Sequence, residues 1–234
     1  MQIEALEIVN YRLFRDARFN GLPRMAVVVG ANGSGKTTLF DVFSFLKEAL
    51  TQNVATAVAR RGGFRELVSR GESGPIAITV KFRESGGRLA TYQLEIADDT
   101  GRPVVHREVL KFRRGQFGQP WHFVDFSRGR GVVITNEAAY GQEGVEAERK
   151  EHVLDDPSVL AIKGLGQFKE FRVVAEFRSL IENCTSRISI SAMPGQARKP
   201  VMPNICQTVA TTSHRWRSTC MKTTASSSTA CCAS

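Results

Sequence analysis

The pattern of apolar and polar residues divides residues 1–183 into a short strand-rich start, a long helix, a β meander and a closing helix. Ile3 to Val9 reads as a strand, Asn10 to Leu13 as a turn region and Ala17 to Phe19 as a second short strand. Met25-Ala26-Val27-Val28-Val29 is a continuous apolar run ending at a glycine, which predicts a strand buried on both faces. From Thr37 to Leu50 the period changes. Leu39, Val42, Phe43, Leu46 and Leu50 recur at three- and four-residue steps, the apolar stripe of a helix. A small-residue and basic stretch, Ala55 to Gly63, follows.

Four β-like segments come next: Ile76–Phe82, Leu89–Ile96, Val104–Phe112 and Trp121–Phe126. Turns such as Ser85-Gly86-Gly87 and Asp98-Asp99-Thr100-Gly101 separate them, so the expected arrangement is an antiparallel meander. Val132–Thr135 adds a strand. Glu143 to Glu151 is highly charged and reads as a solvated loop or surface helix. Phe168 to Asn183 reads as an amphipathic helix with Phe168, Phe171, Val174, Phe177 and Ile181 near one face.

After Asn183 these periods stop, and composition changes with them. Residues 184–234 hold 17 Ser or Thr among 51 residues, all five cysteines and six Lys or Arg, but no Asp or Glu. The net charge of +9 therefore falls to +3 for residues 1–183, and the basic excess says little about the folded part. The cysteines (Cys184, Cys206, Cys220, Cys231, Cys232) lack the paired short spacing of a zinc site. Two origins fit the tail. One is translation out of frame after about Asn183, because permissible codons read two nucleotides later encode a charge-balanced, helix-periodic sequence. The other is a natural disordered basic tail. The expected domains are thus 1–183, a nucleotide-binding lobe, and 184–234, an irregular tail. No apolar run approaches the ~18 residues of a membrane span. No signal peptide is evident, so the cytoplasm is the expected location.

The chemistry concentrates in Gly30-Ala31-Asn32-Gly33-Ser34-Gly35-Lys36-Thr37, which matches G-x-x-x-x-G-K-[ST] without exception. It follows a strand-like run and opens a helix. Glycines let the backbone curl so that successive N–H groups point at phosphate oxygens, and the helix N-terminus adds partial positive charge there. The motif predicts a nucleoside triphosphate site for ATP with Mg²⁺, with Gly30, Asn32, Gly33, Ser34 and Gly35 in the cradle. Lys36 is assigned to the β and γ phosphates, the Thr37 hydroxyl to Mg²⁺, and Thr38 to a supporting place at the helix start.

Together with this loop, the opening I-E-A-L-E-I-V-N-Y-R-L-F-R-D resembles the RecF/SMC-like branch of ABC-type ATPases, which includes bacterial AAA-type ATPases. The resemblance covers residues 1–183 and is most specific over residues 1–50. It implies an α/β fold: a P-loop NTPase lobe of the ABC/RecF/SMC type with an adjoining antiparallel sheet. It also implies that Asn10 and Arg12 border the nucleotide, and that Arg61 in Arg60-Arg61-Gly62-Gly63-Phe64 lies near nucleotide and DNA. As residues alone, Asn10 and Arg12 equally suit a turn and surface, and Arg61 a basic surface turn. Complete relatives would add DNA and a homodimer as partners, and no membrane. A Walker B segment and a Leu-Ser signature segment, which the family carries in a C-terminal lobe, are not found in residues 1–234. The nearest approach to Walker B, Val132-Val133-Ile134-Thr135-Asn136-Glu137, lacks the aspartate and reads as a strand end. Catalytic residues are therefore unassigned. The rival readings are a non-functional truncated product and a fragment of a transporter-type ABC ATPase.

Overall fold

The computed structural model describes residues 1–112, 121–135, 148–168 and 170–186. In chain order the elements are β1 (Gln2–Tyr11), β2 (Phe14–Asn20), α1 (Lys36–Thr51), α2 (Val54–Ala59), α3 (Phe64–Leu67), β3 (Ile76–Arg83), β4 (Leu89–Asp99), β5 (Arg102–Phe112), β6 (Trp121–Ser127), β7 (Arg130–Ile134), β8 (Arg149–Val153), α4 (Ala161–Leu165) and α5 (Arg172–Ser186). The strands make one eight-stranded sheet in the order β2-β1-β3-β4-β5-β6-β7-β8, with every pairing antiparallel. The fold is α/β, with the helices gathered against one face of the sheet. No described helix is long and apolar enough to cross a membrane.

The meander forms where the sequence places its alternation. Ile76, Ile78, Val80 and Phe82 of β3 are buried, while Ala77, Thr79 and Lys81 between them are only partly so. Register keeps the buried set in rows, with Ile78 beside Leu94 and Val80 beside Tyr92. Each such side chain contributes ~1.5–3 kcal/mol on burial, so a slip of one residue would turn the whole row to solvent. The helix layer closes over these rows. In α5, Phe177 lies 4.3 Å from the Tyr92 ring and 5.1 Å from that of Phe82. In α1, Phe45 meets Tyr11 edge-on at 5.9 Å. The Asn53 side chain starts α2 by accepting from Thr56 N at 2.7 Å.

One acid lies inside this layer. Glu108 of β5 is fully buried and caps α4, accepting from Ala161 N at 2.6 Å and from the Tyr92 hydroxyl at 3.0 Å. Burial pushes its pKa up to about 7, against the pull of those donors.

Several expectations are corrected. Met25–Val29 is not a strand. Met25, Val27 and Val29 are 68%, 60% and 53% exposed, and no described strand lies beside the run to complete a ladder. Apolar character alone cannot make a strand, because each backbone N–H and C=O needs a neighbour's partner group. In α1 the buried side includes Phe45 and Ala49, while Leu39 and Phe43 are partly buried. The helix presents its Thr38–Val42–Phe45–Ala49 ridge to the core, rotated from the expected stripe. Phe168 precedes α5 and is 59% exposed, whereas Phe171, Val174, Phe177 and Ile181 are buried as expected. Residues 149–151 form part of β8, not a loop or helix, because β7 offers them a free edge; they remain exposed, and 143–147 lie outside the described residues. Asn10 and Tyr11 belong to β1, which leaves Arg12 and Leu13 as the turn. Val132–Ile134 does end a strand, while Asn136 and Glu137 lie outside the described residues. The helix predicted to end at Asn183 continues to Ser186, with Cys184 packed against the core. Residues 187–234 lie outside the described residues.

Candidate phosphate-binding site

The loop from Gly30 reaches α1 through two left-handed glycines, Gly33 at φ 80° and Gly35 at φ 91°. At Gly35 a side chain is excluded twice over: its φ disfavours one, and a Cβ would sit 3.1 Å from the Phe14 ring. Gly35 is also the N-cap of α1, where no side chain makes a capping bond and no acid stands in the first turn. The partial positive charge of the helix start is thus turned toward the loop without a counter-charge from that turn.

Lys36 supplies a full charge at the same place. Its Nζ donates to the carbonyls of Gly30 and Ala31, both at 2.7 Å, and lies 3.5 Å from Ser34 Oγ. The ammonium is therefore folded back into the curl of the loop. Asn32 and Gly33 are exposed, and Ser34 is buried. Of the two hydroxyl-bearing residues, Thr37 is open to solvent and Thr38 is enclosed.

The two arginines singled out from sequence come together on one carboxylate. Asp41 Oδ1 accepts from Arg61 Nε at 3.0 Å, and Asp41 Oδ2 from the Tyr11 hydroxyl at 2.7 Å with Arg12 Nη1 at 3.2 Å. The arginines are held very differently. Arg61 also donates to Glu48 Oε2 at 2.5 Å and to the Ala57 carbonyl at 2.9 Å, and lies over the Phe45 ring. Its side chain is 7% exposed. Burial works against its charge, but the Glu48 hydrogen bond and the Asp41 charge outweigh this and raise its pKa. Among the described residues Arg12 has a single ion pair, and its side chain is 33% exposed. Burial first, then the charge of Asp41, pushes the Tyr11 hydroxyl far above its ordinary pKa, so it stays a donor. Asn10 is buried, with Nδ2 on the Gly74 carbonyl at 3.0 Å and Oδ1 accepting from Ser69 N at 3.1 Å, so it ties β1 to the 69–75 loop.

Tyr11, Asp41 and Glu48 escaped the sequence reading, although a signal was present. Asp41 follows Thr37 by four residues and precedes Glu48 by seven, which places all three along one side of α1. An acidic edge on that side calls for cations, and Arg60-Arg61 is the basic stretch that follows in the chain. Among the described residues no group of three or more His, Cys, Asp or Glu could hold a metal ion.

The model of the AAA ATPase domain family matches residues 1–163. The chain is also similar to the DNA replication and repair protein RecF of Idiomarina loihiensis, 34% identical over 74 residues, which is 32% of this chain and 19% of that protein. It is similar to the chromosome partition protein Smc of Rhodopirellula baltica, 26% identical over 190 residues, covering 75% of this chain and 15% of that protein. The chain thus spans less than a fifth of the length of either relative.

Proposed function

The chain belongs to the AAA ATPase domain family, and from that membership we propose that it binds ATP with Mg²⁺ at the loop of Gly30 to Thr37. The observation that carries this reading is the coincidence of Lys36 Nζ, curled over the Gly30 and Ala31 carbonyls, with an uncapped start of α1. Phosphate oxygens would take the ammonium and the first-turn N–H groups together. Mg²⁺ would neutralise the β and γ charges and be held by Thr37, with Asn32, Gly33, Ser34 and Gly35 shaping the cradle. The lobe is of the RecF/SMC type, which similarity to RecF and Smc supports. Those relatives are named for DNA repair and chromosome partition, so DNA is the macromolecular partner we assign to a complete protein, with a homodimer and a cytoplasmic location.

Hydrolysis by this chain alone is expected to be slow. Phosphoryl transfer depends on a positioned water and on stabilised charge, and residues 1–234 offer no convincing Walker B acid or signature segment.

Titration with a fluorescent ATP analogue tests the site. Lys36→Ala is expected to weaken binding at least tenfold, about 1.4 kcal/mol. Equal affinities would remove the assignment. A Lys36-dependent turnover matching complete ABC-type ATPases would show that a catalytic carboxylate is present after all.

A further inference from the structure

We infer that Asp41 is a positioning residue for triphosphate recognition, holding Arg12 ready beside the phosphate-binding loop, and that Arg61 is a fixed strut of the same assembly. The inference rests on the nucleotide reading of the loop.

Placement comes first. Asp41 lies four residues along α1 from Thr37, on the same side and ~6 Å further up the axis. Its Oδ2 receives Arg12 at 3.2 Å and the Tyr11 hydroxyl at 2.7 Å, so it pins the β1–β2 turn to the helix that the loop opens. The Arg12 backbone is held too, its N–H donating to the Leu67 carbonyl at 2.6 Å, with φ at 50°. Its side chain, by contrast, is one-third exposed.

The unequal grip on the two arginines decides their roles. Arg61 spends its donors on Asp41, Glu48 and the Ala57 carbonyl, and is enclosed. Withdrawing it would take the most enclosed cation from two carboxylates at once. Arg12 gives Asp41 one contact, keeps further N–H groups, and is one-third exposed. A phosphate oxygen arriving within a helical turn of Asp41 could engage those remaining donors while the Asp41 contact persists. Asp41 then fixes the angle of approach, and Arg61 and Tyr11 fix Asp41. Without the carboxylate, Arg12 must be immobilised by the ligand at the cost of its side-chain entropy.

The test measures affinities for ATP and AMP, by competition against a fluorescent ATP analogue, in the full chain. The variants are Asp41→Asn, Asp41→Glu, Arg12→Ala and the Asp41→Asn/Arg12→Ala double. The expected result is a roughly fivefold loss of ATP affinity in Asp41→Asn and in Arg12→Ala, about 1 kcal/mol. The double variant should lose no more than either single one, AMP affinity should stay unchanged, and Asp41→Glu should recover most of the loss. A purely structural role would weaken ATP and AMP alike. That outcome overturns the inference, as does additive loss or tighter ATP binding in Asp41→Asn. Should Asp41→Asn melt below the assay temperature, Arg12→Ala alone decides: an unchanged ATP-to-AMP ratio overturns the inference, and a fivefold fall supports it. Lys36-dependent ATP binding without coupling between Asp41 and Arg12 defeats only this inference. Absence of any such binding defeats the nucleotide reading and this inference with it.

Discussion

Two apolar runs of similar character meet opposite ends in this molecule. Ile76–Phe82 becomes the heart of β3, paired on both edges and buried on alternate residues. Met25–Val29, richer in valine, stays unpaired and exposed just before the Gly30–Thr37 loop. Strand propensity does not separate them, since valine favours strands. What separates them is company. β3 has β1 and β4 within hydrogen-bonding reach, and α5 above it supplies Phe177. The earlier run has no described strand alongside. A strand is a property of at least two segments, and its burial a property of the layer that covers it.

Hydrogen exchange should show the contrast at its widest. Amides within β3 are expected to exchange on the order of a thousandfold or more slower than those of residues 25–29, since ladder amides open only with larger unfolding. Comparable rates in the two segments would erase the distinction. Removing the cover should come next. Phe177→Ala takes away the ring that meets Tyr92 and Phe82 and should cost about 3–5 kcal/mol in denaturant unfolding. A loss below ~1 kcal/mol would mean that α5 does not hold the sheet.

The covered side also tolerates one acid, and pH reads its cost. Glu108 in the folded chain titrates near 7, above its ordinary 4.5, so the folded state binds the extra proton between those values. Its contribution to stability is then fully present below about 4.5 and is lost as pH rises through 7, by roughly 3 kcal/mol. Glu108→Gln should flatten that slope, and a wild-type profile that rises over the same window would contradict it. The smallest effect belongs to the exposed run. Val27→Ala should change stability by less than ~0.5 kcal/mol, because no buried contact is lost. A larger loss would reveal a packing partner.

The legible parts share a cause. Strands β3 to β6 could be located because alternation and turn residues are local. The loop at Gly30–Thr37 could be located because its backbone geometry demands particular residues in order. Arg61 shows the opposite case. Its charge suggested a surface turn and the family resemblance a place near nucleotide and DNA, and only the convergence of Asp41, Glu48 and Phe45 makes it a buried strut. Glu108 could have been found by phase: it shares parity with the buried Leu110 and Phe112, so it had to face the helices. Asp41 was legible only as part of an acidic edge of α1, since its partners, Tyr11 and Arg12 from one segment and Arg61 from another, meet it only in the folded chain.

The sequence by itself determined the elements that depend on near neighbours: the helix period of α1, the meander, and a glycine loop whose left-handed turns few other residues adopt. Tertiary structure alone decided which apolar run became a strand, which face of α1 turned inward, and which arginine was locked and which left with room to move. The physical reason is range. Backbone preference and turn chemistry act over a few residues, whereas hydrogen-bond ladders, burial and charge pairing are settled between segments that meet only when the chain has folded.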